Sequence, residues 1–114
     1  MTNVPVVNGT PDVPVLTLHD IGDFFVPFSM EQIYANRVAA AGRSDLLVQR
    51  AIRGVDHCDF TGPELVRGFL DLVNWVENGV RPPGDNVTDP SVVADPNFGC
   101  KFTVGQRPSL PSCP

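Results

Sequence analysis

Two short apolar runs and two amphipathic segments alternate through the first two-thirds of the chain. Val13-Pro14-Val15-Leu16-Thr17-Leu18 is apolar on both faces, the pattern of a parallel strand covered from both sides. It breaks into the polar turn His19-Asp20-Ile21-Gly22-Asp23 and a lip, Phe24-Phe25-Val26-Pro27-Phe28. Ser29, with Gln32 three positions on, reads as a helix N-cap with a capping box. Met30, Ile33, Tyr34, Val38 and Ala41 then recur at helical spacing, and Gly42 ends the helix. Leu46 to Ile52 is a second strand, interrupted by Gln49 and Arg50. After a loop containing His57, Thr61-Gly62-Pro63-Glu64 is a capping box that opens the clearest helix. Leu65, Phe69, Leu72 and Val76 form its stripe, Val66, Leu70 and Val73 widen it, and Asn78-Gly79 ends it.

The pattern predicts an α/β fold: a β-α-β-α unit whose two parallel strands are joined by a right-handed crossover. Residues 1–12 form an irregular lead-in, residues 13–80 the α/β segment, and residues 81–114 a tail punctuated by proline. Val92, Val93, Phe98, Phe102 and Val104 give that tail the character of a strap over the sheet or the last helix. Two parallel strands need neighbours and cover on both faces, so a second polypeptide or another copy is expected to complete the sheet.

Composition narrows the classes. The 114 residues are 42% hydrophobic and 18% charged, a globular balance for one modest domain. A net charge of −5 argues against nucleic acid or an anionic membrane as partner. No apolar run approaches the roughly 18 residues of a membrane span. Of three cysteines, Cys100 and Cys113 bracket a short loop that a disulfide would close. With the sequons at Asn8 and Asn86, they favour an oxidising, extracellular compartment. Cys58 is open to three readings: a buried small hydrophobe, half of a bridge to a cysteine elsewhere, or a nucleophile.

The residues that carry chemistry are Asp23, after the first strand, and His57, after the second. Pro14-Val-Leu-Thr-Leu-His-Asp-Ile-Gly-Asp23-Phe-Phe-Val-Pro27 resembles the strand and acid turn of an α/β-hydrolase. Gly54-Val-Asp-His57-Cys-Asp-Phe60, followed by a capped helix carrying Trp75, resembles the histidine loop and last helix of that fold. The resemblance covers about residues 13–80 and is nearest to bacterial esterase- or acyl-hydrolase-type members. It implies a triad acid at Asp23, a general base at His57 and a small-molecule ester as substrate, with no cofactor. The adjacent His57-Cys58 pair also resembles tannases and feruloyl esterases, which implies a bridge from Cys58 to a serine elbow.

The chain departs from that family in having no Gly-x-Ser-x-Gly elbow. The serine is therefore expected outside this chain, which then reads as the C-terminal third of a hydrolase. The competing expectations are a non-catalytic, self-associating remnant, and a small oligomeric enzyme using His57 and Asp23 with water. Asp20 is the alternative acid. Phe24, Phe25 and Phe28 are expected to be a buried lip, since exposed aromatic clusters are costly; the other reading has Phe24 and Phe25 lining a substrate site. His19, Asp20, Asp23 and His57 have metal-ligand types but no recognised spacing, so no metal is expected.

Overall fold

A computed structural model describes residues 5–105, 107–108 and 110–114. Strand β1 (Val15–Asp20) and strand β2 (Leu47–Ile52) pair in parallel, in register from Val15 opposite Leu47 to Asp20 opposite Ile52. Helix α1 (Ser29–Ala40) makes the crossover, helix α2 (Gly62–Asn78) follows β2, and a single helical turn, α3 (Pro90–Val93), lies in the tail. The α/β architecture expected from the hydrophobic pattern is the one observed.

Details of placement differ. β1 begins two residues later than the apolar run, because Pro14 has no amide to donate. It also runs on through His19 and Asp20, which are strand rather than turn. Ser29 is not a cap. The helical hydrogen bonds of α1 start earlier, from Met30 N–H to Pro27 O, and Phe28 already has helical φ and ψ. Ser29 thus falls in the first turn, and no side chain caps α1.

All six residues of β2 are buried, including Gln49 and Arg50. Gln49 points towards α1 and donates to Glu31 at 2.7 Å. Arg50 points towards α2, donates to Asp71 at 2.6 Å and lies over the Phe102 ring. The polar pair that seemed to interrupt the strand is a pair of buried, fully engaged side chains.

The tail is a strap for part of its length. Val87 and Phe98 pack with Ala51 as a core cluster, and Phe102 is buried against Arg50; Val92 and Val104 stay exposed. The strap also closes the outer edge of β2. Arg81 donates to Leu47 O, Asp85 N–H donates to Gln49 O at 2.7 Å, and the Asp85 carboxylate accepts from Ala51 N–H at 2.9 Å. The opposite edge, on β1, has no strand partner among the described residues.

Helix α2 shows which way its apolar stripe faces. Its capping box forms as the sequence predicts, and Gly79 ends it in the left-handed conformation. Yet the face it buries is Glu64, Gly68 and Trp75. Gly68 faces the ends of the Leu16 and Leu18 side chains, with which even an added Cβ would make ordinary contact. The apolar stripe turns outward: Leu65, Val66, Phe69, Leu70 and Val76 are exposed, Phe69 by 66%. In α1, likewise, Val38 is buried but Met30 and Ile33 are exposed.

Candidate active site

β1 and β2 end side by side, so the loops that follow them meet. Gly22 and Gly54 allow the close approach. Gly22 N–H donates to Gly54 O at 2.9 Å, and a Cβ on Gly54 would collide with the Asp20 carboxylate. The first loop is organised by Asp23. Its Oδ1 accepts from Phe25 N–H at 2.8 Å and Val26 N–H at 2.9 Å, folding the chain back on itself. His19 supports the same turn, its Nε2 standing 2.9 Å from Val26 O.

The second oxygen of Asp23 is committed to His57. Asp23 Oδ2 lies 2.7 Å from His57 Nδ1. The Asp23 side chain is 4% exposed and the His57 side chain 47%. One carboxylate thus uses one oxygen to hold its own loop and the other to hold the imidazole. Burial pushes the Asp23 carboxyl up, but the Val26 N–H, His57 and the Phe25 N–H outweigh it and hold it down at about 2. The anion next to Nδ1 favours the tautomer with its proton on Nδ1 and a lone pair on Nε2. Nε2 has no hydrogen-bond partner among the described residues.

Asp20, the alternative acid, does different work. It is 1% exposed; its Oδ2 accepts from Asp59 N–H at 2.7 Å, while its Oδ1 has no partner among the described residues. Burial, only partly offset by the Asp59 amide, pushes its pKa up to about 6. The carboxylate in contact with the imidazole is Asp23.

Phe25 packs edge-on to the His57 ring with centroids 5.7 Å apart. Phe24 and Phe25 are each 77% exposed, so the expected burial of this lip does not occur. The turn at Asp23 presents both rings outward, and only Phe28 packs inward, against His19 and Phe98. Cys58 is a free, exposed thiol, not a buried hydrophobe, and has φ of +56°. Cys100 and Cys113 form the disulfide suggested by their spacing, with Cα atoms 5.4 Å apart. Among the described residues no group of three or more His, Cys, Asp or Glu is arranged to hold a metal ion. None of the described helices is long and apolar enough to cross a membrane.

A buried ion pair with no local sequence signal lies beside this site. Glu64, in the first turn of α2, accepts from Arg107 at both carboxylate oxygens, at 2.6 and 2.8 Å. It also accepts from Thr61 N–H and Val104 N–H. Burial raises the Glu64 carboxyl, but Arg107 and the two amides outweigh it and leave the group below the ordinary carboxylate range. Arg107 and Glu64 stand 43 positions apart, and only the capping role of Glu64 is visible locally.

The chain is similar to an o-phthalyl amidase of Xanthobacter agilis, with 40% identity over 76 residues. The match takes in 67% of this chain and 17% of the amidase, so the chain spans under a fifth of that relative's length. The likeness is to a hydrolase-type enzyme. No protein-family model matches the chain, and no solved structure does.

Proposed function

We propose that this chain supplies the acid–base half of an acyl-hydrolase site, with Asp23 as the orienting acid and His57 as the general base. The observation that carries the reading is the 2.7 Å contact between Asp23 Oδ2 and His57 Nδ1, with Nε2 unengaged among the described residues. In the reaction, Nε2 takes the proton of a serine hydroxyl as its oxygen attacks the carbonyl carbon of an ester or amide. The proton then passes to the leaving group, and a second cycle with water frees the acid. Asp23, held well below the ordinary carboxylate range, stays ionised and stabilises the imidazolium that forms in each step.

The serine belongs to a second polypeptide or to another part of a longer protein. The arrangement resembles the acid and histidine end of an α/β-hydrolase, residues 13–80, whose remaining strands would pair with β1. Two features support this: the edge of β1 that has no strand partner among the described residues, and the outward apolar stripe of α2. The exposed Phe25 ring packs against His57, and with the neighbouring exposed Phe24 it would offer a lip to an apolar acyl or aryl group. The disulfide suits an oxidising, extracellular compartment. The same outward stripe also favours a second reading, a non-catalytic protein that self-associates through it.

A graft separates the two. The matched segment of the Xanthobacter agilis amidase is replaced by the corresponding residues of this chain, and hydrolysis of an o-phthalyl amide is followed. The expected outcome is a working enzyme in which His57→Ala lowers kcat by about 100- to 10,000-fold. Asp23→Asn, which removes the anion beside Nδ1, lowers it on a similar scale. A folded, active graft indifferent to His57→Ala would rule out the catalytic reading.

A further inference from the structure

We propose that Arg107, carried on the loop closed by the Cys100–Cys113 disulfide, is a positioning residue for the Asp23–His57 pair and acts through Asp59. The proposal rests on the reading of that pair as the acid–base couple. His57 sits on the loop 54–60; among the described residues its side chain is hydrogen-bonded only to Asp23, with the exposed Phe25 ring packed edge-on against it. The rest of its placement therefore comes from the two ends of the loop. At the first end, Gly54 O accepts from Gly22 N–H, and Arg53 N–H donates to the Thr103 hydroxyl at 2.9 Å. At the second end, Asp59 is gripped from both sides. Its N–H donates to Asp20 at 2.7 Å, and its carbonyl accepts from Arg107 Nη2 at 2.9 Å. The Asp59 carboxylate also lies 3.7 Å from Arg107 Nε.

This grip has something to hold. Cys58, between His57 and Asp59, has φ of +56°, a left-handed conformation that is strained for a non-glycine residue. Such residues persist where the surroundings over-determine them. Arg107 is itself immobilised, 8% exposed and paired with both oxygens of Glu64, so it acts as a fixed post on the first turn of α2. Without it, Asp59 keeps only the Asp20 contact, and the turn at Cys58 can relax and swing His57 off Asp23. A shift of about 1 Å at such a base is worth on the order of 100-fold in rate.

The test uses the oxidised, full-length chain and needs no nucleophile, so it stands or falls separately from hydrolysis. The 15N signals of the His57 imidazole at pH 8 report whether the proton is held on Nδ1. The wild-type chain is expected to show widely separated Nδ1 and Nε2 signals. In folded Arg107→Gln they are expected to move towards each other as the tautomer averages. Val38→Ala, in the core of α1, controls for general loosening and should lose stability without moving these signals. Unchanged His57 signals in folded Arg107→Gln would overturn the proposal. Should that variant not fold, Arg107→Lys decides. Lysine keeps the charge against Glu64 but cannot span Glu64 and Asp59 O together. A shift then supports the proposal, and wild-type signals overturn it.

Discussion

Asp20 and Asp23 stand three positions apart at the end of β1, and their surroundings drive their protons in opposite directions. Asp23 accepts two amides and faces His57, so its carboxyl is held at about 2. Its stabilising effect is present above the ordinary carboxyl value of 3.8 and is lost as pH falls towards 2. Asp20 is buried, the Asp59 amide and the charge of Arg107 offset this only in part, and its pKa rises to about 6. The native state then binds a proton that the unfolded chain has released between 3.8 and about 6. Asp20 therefore favours the fold most below pH 3.8 and progressively less up to about pH 6, above which its effect is constant. The shift corresponds to about 3 kcal/mol. Asp20→Asn keeps an acceptor for Asp59 N–H without the charge. It should raise stability at pH 7 by about 1–3 kcal/mol, an advantage that vanishes near pH 4. Urea midpoints at the two pH values measure this, and parallel shifts at both would contradict it.

At the scale of elements, the first turn of α2 joins helix, histidine loop and tail. Glu64 closes the capping box with Thr61, receives Arg107 and accepts Val104 N–H, with its side chain fully buried. Glu64→Ala leaves Arg107 buried without its partner and should cost about 3–5 kcal/mol. Thr61→Ala removes the cap and the hydroxyl's hydrogen bond to Val104 O and should cost about 1–2 kcal/mol. Denaturant unfolding distinguishes the two, and equal losses would mean that the buried pair contributes little. These elements also show what a sequence reveals. Caps and stops at Thr61, Gly79 and Gly42 were legible because a few adjacent residues decide them. Asp23 and His57 were legible because each follows a strand of known direction. The Glu64–Arg107 pair was not, because its partners meet only after the tail has wrapped back. Gln49 and Arg50 looked like breaks in β2 because their partners Glu31 and Asp71 lie on the two helices. The periodicity of α2 gave its apolar face correctly but not the direction in which that face points.

At the scale of the whole molecule, that direction and the bare strand edge make one argument. The outer edge of β2 has its polar groups met by Arg81 and Asp85, whereas among the described residues β1 has a strand on one side only. Next to β1, α2 exposes Leu65, Val66, Phe69 and Leu70. Isolated exposed apolar residues are ordinary; a stripe along one helix beside such a strand edge is what the proposed partner polypeptide or second copy would cover. The chain alone should bind a hydrophobic dye and elute above its monomer mass. Leu65→Lys combined with Phe69→Lys should cut the dye signal severalfold and return the chain to a monomer. Because both side chains are exposed, 49% and 66%, the double variant should keep its stability to within about 0.5 kcal/mol per site. A loss of several kcal/mol would instead mean that the stripe packs within the chain. A wild-type monomer that ignores the dye would remove the case for a polypeptide seated on α2, and the serine would then have to reach His57 by another route.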